Sequence, residues 1–251
     1  MVRHGESAGN VARDEANAAR EAVIRTSSSR DVDVPLSPLG ESQATALGHW
    51  FGSLPVNQRP TVVITSPYVR ARQTTAIIKE LGDFPYASDV ASLVVDERFR
   101  EKEFGILDGL TRYGIMERFP DQAAFRTSLG KFYHRPPGGE SWCDVILRLR
   151  SAFEMMCREY HGERILVVAH SVVVLCMRYI VESLTEEEIL KIDRESEVAN
   201  CSVTRFDVDL TQGPVGKLIL DSFNFVAPLL AEGTRVTSTP DLPAALKPQG
   251  S

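Results

Sequence analysis

Two short runs of strand-forming residues, Thr61–Thr65 and Ile165–Ala169, limit what this chain can fold into more than any other feature. Neither alternates apolar with polar residues, so each suits a strand buried on both faces, as in a parallel sheet covered by helices. A helical stretch follows each run. Ser66-Pro67 stops the first, and Val69 to Leu81 then spaces Ala71, Thr74, Ile77, Ile78 and Leu81 along one helix face. After the second, Val172 to Leu184 is apolar enough to be a core helix. Ser37 can cap a helix with Pro38 at its first position, turning Ala44, Leu47 and Trp50 inward within Pro35 to Phe51. Ser141 to Tyr160 places Val145, Leu149, Phe153 and Met156 on one face and is entered from the turn Pro136-Pro137-Gly138-Gly139. Leu93 to Asp96, Ser202 to Val208 and Lys217 to Asp221 read as further strands. The pattern predicts an α/β fold, a mostly parallel central sheet with helices on both faces.

A chain of 251 residues with 43% apolar content can bury a substantial core. No linker or repeat divides it, so one domain over 1–231 is expected, with an insertion or lid near 108–139. In that segment Tyr113, Phe119, Phe125, Phe132, Tyr133 and His134 are candidates for an aromatic pocket wall, with core packing as the alternative for most. Residues 232–251 are rich in Pro, Gly, Ser and Thr and read as a mobile tail. Lys and Arg total 28 against 34 for Asp and Glu, a net charge of -6 with no basic stripe, which argues against a nucleic-acid partner. The longest strongly apolar run, Val172 to Val181, contains Arg178 and falls short of the roughly 20 residues that cross a bilayer. Cysteines 143, 157, 176 and 201 lack zinc-site spacing and read as reduced core or near-core thiols. The first twenty residues are charged rather than apolar, so no secretory leader is read and a cytoplasmic location is expected.

Chemistry concentrates where strands end. Arg3-His4-Gly5-Glu6-Ser7 opens the chain and His170 follows the second buried run, so both histidines fall where loops leave the carboxyl ends of strands. A neutral imidazole is a competent nucleophile toward phosphorus, and neighbouring cations complement the phosphoryl oxygens. Arg3 is adjacent in sequence, and Arg70 opens the helix after the first run. Taken singly, each piece has an ordinary reading: a packed histidine, or Arg70 and Arg72 on a solvated helix face. Together they point to an oxyanion-rich ligand.

Four ordered motifs carry a resemblance. Arg3-His4-Gly5-Glu6-Ser7 with Asn10, Ser66-Pro67-Tyr68-Val69-Arg70-Ala71-Arg72-Gln73-Thr74, Phe99-Arg100-Glu101 to Phe104-Gly105, and Ala169-His170 resemble the signatures of the histidine phosphatase superfamily, also called phosphoglycerate mutase-like. The resemblance covers most of residues 3–210. It implies that His4 is the nucleophile that becomes phosphohistidine and that Arg3, Arg70 and His170 form the phosphate pocket. Glu101 is then the general acid and base, which must be protonated for its first task through burial or a neighbouring anionic phosphate. Glu97 and Glu103 compete for that role but are expected to be solvated or paired with Arg98, Arg100 and Lys102. Asn10 and Ser7 are candidates for hydrogen bonds to phosphate or substrate, with loop capping as the alternative. Gly5 permits close backbone approach, and Glu140 and Ser141 are read as helix-start residues.

Two departures stand out. Ser171 takes the place of the family's usual glycine after the second histidine. Only Met1 and Val2 precede Arg3, where a strand of ordinary length needs about 5 residues, so a truncated first strand and a natural reading frame beginning upstream are expected.

The expected activity is metal-independent phosphomonoester hydrolysis of a small phosphorylated substrate, with no cofactor. Phosphoglycerate mutase chemistry, or a noncatalytic phospholigand-binding regulator, are the alternatives. No G-x-S-x-G element exists, Gly213 to Lys217 lacks P-loop spacing, and His4 with Glu6 is not a metal-ligand set.

Overall fold

The computed structural model describes residues 1–85, 93–213 and 216–238. Strand β1 (Val2–Arg3) leads into α1 (Ala8–Ala18), where Ser7 and Asn10 form a reciprocal capping box. Ser37 caps α2 (Pro38–Ser53), which has Pro38 at its start, and β2 (Val62–Thr65) passes through the Ser66-Pro67-Tyr68 turn into α3 (Val69–Gly82). After β3 (Leu93–Val95), the segment expected to be an insertion forms α4 (Arg112–Arg118) and α5 (Pro120–Tyr133), separated at Phe119-Pro120 because proline has no amide to continue the first helix. Ser141 and Asp144 box the start of α6 (Trp142–Glu159), and β4 (Ile165–Ala169) runs into α7 (Ser171–Glu182). The chain continues through α8 (Glu186–Glu195), β5 (Val203–Asp209), β6 (Lys217–Phe225) and α9 (Ala227–Ala231).

The six strands form one sheet in the order β3-β2-β4-β1-β5-β6. The pairs among β3, β2, β4 and β1 are parallel, while β5 runs antiparallel to both β1 and β6. Alternation along the buried strands divides the core in two. Val62 and Ile64 on β2, with Val167 and Ala169 on β4, pack with residues of α6 and α7 on one face. Val63, Leu166 and Val168 pack with residues of α2 and α3 on the other. Trp142, Leu47 and Ile64 are fully buried, each worth about 1.5–3 kcal/mol of apolar transfer.

Several expectations change in detail. Strand β1 is two residues long yet central, with Val2 paired to both Val168 and Val203. Strand β6 runs past Asp221 to Phe225, because β5 pairs with it along its length. The helices α1 and α8 are additions to the elements expected from the sequence; α8 starts from a capping box between Thr185 and Glu188. Cys157 is exposed rather than near the core, whereas Cys176 and Cys201 are buried. Residues 232–238, read as the start of a mobile tail, dock on the domain: Asn200 N donates to Thr237 O at 2.8 Å and Gln43 Nε2 to Arg235 O at 2.9 Å. The remainder of that segment, 239–251, lies outside the described residues.

Candidate active site

The register of the parallel strands sets the site. Arg3 pairs with Ala169, and Thr65 with Val168, so the next residues, His4, His170 and Ser66, leave the sheet along one carboxyl edge. His4 N donates to Ala169 O at 2.9 Å and Ser66 N to Val168 O at 3.0 Å, extending the strand pairing into the loops. Just beyond them α1, α3 and α7 begin, and Arg70 sits in the first turn of α3. Gly5 is required here by space: a Cβ on it would stand 2.5 Å from Gly40 O, at the start of α2.

The two imidazoles meet edge to face, with ring centroids 5.1 Å apart. His4 Nδ1 lies 2.6 Å from Gly5 O, and a carbonyl only accepts, so Nδ1 carries the proton. Arg70 Nε donates to His4 Nε2 at 3.3 Å, which requires a lone pair on that nitrogen. Two separate contacts thus assign the same neutral tautomer. Burial, then the charges of Arg70 and Arg3, hold His4 well below the ordinary histidine range. Burial and then Arg70 do the same to His170, whose Nε2 is 2.8 Å from Ser66 Oγ and whose Nδ1 is 3.5 Å from Glu101 Oε2.

Arg70 is buried with its guanidinium over the Tyr68 ring at 4.8 Å. Its Nη1 donates to Asp31 O at 2.8 Å, and its two Nη atoms donate to the Asp31 carboxylate at 3.2 and 2.9 Å. Arg3 is 1% exposed and donates from Nη1 to Val198 O.

Among the acids, Glu101 is buried beside His170 and its Oε1 accepts from Lys102 N at 2.8 Å. Glu103 is half-exposed, accepts from the Tyr68 hydroxyl at 3.0 Å and lies 3.7 Å from Arg100 Nε. Glu97 is exposed. Glu140 does more than start a helix. It accepts from Arg100, Arg148 and Glu103 N, and Arg148 also donates to Glu101 O, so the network fixes the loop that presents Glu101. Burial opposes the charge on Glu140, but the Arg148 hydrogen bond and charge outweigh it and hold the carboxyl below the usual carboxylate range.

These side chains surround a small cleft. His4, Asn10, Arg70 and Glu101 line it together with Ser7, Gly9, Arg13, Asp31, Phe104 and Asp108. Arg3 and His170 lie behind that wall, in electrostatic contact with His4. Asn10 and Ser7 line the cavity while satisfying each other in the α1 cap, Asn10 Oδ1 accepting from Ser7 N at 3.0 Å. The expected aromatic wall from 108–139 is not what borders it: from that segment only Asp108 lines the cavity, and the aromatic group present is Phe104. Phe132 and His134 are buried elsewhere, while Phe125 and Tyr133 face solvent. Arg13 was detectable as the residue three after Asn10 on one helix face, whereas Asp31 opens a 3-10 turn (Asp31–Asp33) too short to show periodicity. Among the described residues, no group of three His, Cys, Asp or Glu side chains is placed to hold a metal ion. None of the described helices is long and apolar enough to cross a membrane.

A buried neutral imidazole with its Nε2 lone pair beside a guanidinium, and a carboxyl in the same cavity, can attack an electrophilic phosphorus and manage the departing proton. Comparison with known proteins agrees with that chemistry. The profile described as histidine phosphatase superfamily (branch 1) matches residues 1–218. The chain belongs to the histidine phosphatase superfamily. Within this superfamily it is 30% identical over 199 residues to 2,3-bisphosphoglycerate-dependent phosphoglycerate mutase 2 of Gloeobacter violaceus, covering 78% of this chain and 80% of the relative. The solved structure of Bacillus stearothermophilus YhfR superposes with a TM-score of 0.68 at 24% identity, over 91% of this chain and 96% of that one. Mycobacterial glucosyl-3-phosphoglycerate phosphatase Rv2419c, solved with VO3, gives 0.64 at 25% identity, over 90% and 97%.

Proposed function

We propose that the chain hydrolyses phosphomonoesters through a phosphohistidine on His4. The observation that carries this reading is the orientation of His4, whose proton is held on Nδ1 by Gly5 O while Nε2 keeps its lone pair, which accepts from Arg70 Nε at 3.3 Å until phosphorus takes it. In the first step Nε2 forms a bond to phosphorus as the P–O bond to the alcohol breaks, and Glu101 gives its proton to the leaving oxygen. In the second, Glu101 takes a proton from water, whose oxygen displaces His4 and releases inorganic phosphate. Arg70 and Arg13 line the phosphoryl end, while Arg3 and His170 support it from behind. The reaction as written needs no metal. The unit that performs it is residues 1–231, with 108–139 as an insertion that lends Asp108 to the cavity.

The relative named a mutase favours a second outcome, in which the phosphoryl group returns to a sugar acid. Hydrolysis is preferred because mycobacterial glucosyl-3-phosphoglycerate phosphatase shares the fold over 90% of this chain at 25% identity. Rapid quenching of a phosphomonoester reaction should trap an acid-labile, base-stable label on the peptide containing His4, with inorganic phosphate as product. Interconversion of 3- and 2-phosphoglycerate without phosphate release would establish the mutase instead. Absence of label from every phosphodonor would leave a noncatalytic phospholigand binder.

A further inference from the structure

The loop that carries His4 is held from behind by two fully buried amides. Asn200 Nδ2 donates to His4 O at 3.0 Å, and Gln43 Oε1 accepts from Glu6 N at 2.8 Å, so the peptide units on either side of Gly5 are each gripped by a side chain. Each grip fixes which way its amide faces, because Asn200 must then turn its oxygen, and Gln43 its NH2 group, away from the loop. Both point at one hydroxyl. Thr237 Oγ1 donates to Asn200 Oδ1 at 3.0 Å and accepts from Gln43 Nε2 at 2.9 Å. A hydroxyl can do both at a single atom, whereas a carbonyl only accepts and a methyl does neither. Thr237 is itself seated by its backbone carbonyl, which accepts from Asn200 N at 2.8 Å, and by Val236, which packs on the core cluster that holds Leu47 and Val63. This docked segment lies beyond residue 218, where the match to the family profile ends.

We infer that Thr237 is a positioning residue for the nucleophile: its hydroxyl, acting through Asn200 and Gln43, sets the peptide units that aim His4. Gly5 O, the acceptor that keeps the His4 proton on Nδ1, belongs to the same planar peptide unit as Glu6 N. A turn of that unit that loosens Gln43 therefore also moves the acceptor away from the ring. Without the hydroxyl, Asn200 Oδ1 loses its donor inside the protein, whereas Gln43 Nε2 keeps Arg235 O at 2.9 Å. Asn200, which holds His4 O, is thus the more dependent of the two. The inference rests on the reading of His4 as nucleophile, and the unit that carries the chemistry then includes the docked segment through Thr237.

Three variants of the full chain test this. Thr237→Val keeps the branched shape and removes the hydroxyl, Thr237→Ser keeps the hydroxyl, and Ser238→Ala removes only the neighbouring contact to Glu197 Oε2 at 3.1 Å. With p-nitrophenyl phosphate, kcat/KM reports attack by His4 and should fall by about 10-fold in Thr237→Val. Thr237→Ser and Ser238→Ala should stay near the parent. A long-range proton–nitrogen NMR correlation at neutral pH should show the His4 signals displaced in Thr237→Val and restored in Thr237→Ser, with those of His134, buried in another part of the fold, unmoved in both. An unchanged kcat/KM in Thr237→Val, a loss that Thr237→Ser does not restore, or a loss with the His4 signals in place overturns the inference. A lower melting temperature with full activity also overturns it, since the hydroxyl would then only brace the segment. If the parent chain hydrolyses no phosphomonoester, the phosphatase reading falls by itself, and the His4 signals of the same variants still decide the positioning.

Discussion

Arg70 Nε donates to His4 Nε2 across 3.3 Å, so the guanidinium at the start of α3 reads the lone pair of the imidazole at the end of β1. The contact orients the ring, and burial first, then the Arg70 charge, keeps it unprotonated. A long-range proton–nitrogen NMR correlation should therefore find His4 as the Nδ1–H tautomer at neutral pH. Arg70→Lys keeps the charge but loses the planar fork, and kcat/KM should fall by about 10²-fold or more. A His4 signal with both nitrogens protonated at pH 7 would contradict the assignment.

Glu101 and Glu103 stand two residues apart in different surroundings, one buried against His170, the other half-exposed and tied to Tyr68 and Arg100. Glu101→Gln should slow turnover of alkyl phosphates by about 10²–10⁴-fold, the usual reach of a general acid. The loss should be much smaller for p-nitrophenyl phosphate, whose leaving group needs little protonation. Glu103→Gln should cost far less with either substrate. Equal losses at the two positions would remove Glu101 from the acid's role.

Much of this was legible because the rules involved are local. The unalternated runs at 61–65 and 165–169 marked the buried strands, and the Ser37, Ser141 and proline signals marked helix starts that the structure shares. The motif residues His4, Arg70, Glu101 and His170 are brought together by strand register, which the sequence implies only through strand order. The cavity's other border was not legible. Asp31 opens one single-turn 3-10 helix and Asp108 ends another, and their placement depends on long-range pairing, such as Asp31 with Arg70, that no periodicity encodes. The aromatic residues of 108–139 misled for a related reason: Phe132 finds Trp142 in the core, and an aromatic side chain does not announce which surface it will cover.

Both histidines are buried neutral, and this fixes a pH dependence. Their folded pKa values are depressed, so below an unfolded value of about 6.5 the unfolded chain binds more protons than the folded one. Stability is then full above pH 6.5 and declines as pH falls below it, before carboxylates titrate. Chemical denaturation from pH 7.5 to 5 should show the decline, and His170→Asn should flatten it. The acid limb of kcat/KM that reports His4 should also lie below the ordinary histidine range. A stability profile flat down to pH 5 would show that the imidazoles are solvated.

Asp31 holds Arg70 by accepting three hydrogen bonds, two at its carboxylate and one at its backbone carbonyl, in the cavity where a phosphoryl group would bind. Anion and carboxylate compete for one fork. Replacing Asp31 with Asn keeps the backbone contact and removes the competing charge. Vanadate or inorganic phosphate should bind more tightly to the Asp31→Asn protein, by about 10-fold, because less interaction must be given up. The ligand-free protein should lose stability, since buried Arg70 is left without its counter-ion; Asp31 is itself 36% exposed in its side chain, so the loss should be about 1–2 kcal/mol. Thermal unfolding with and without vanadate measures both effects together. The variant should melt lower without the anion and gain more from it, whereas a parallel downward shift in both conditions would mean that Asp31 only braces the loop and does not share Arg70 with the ligand.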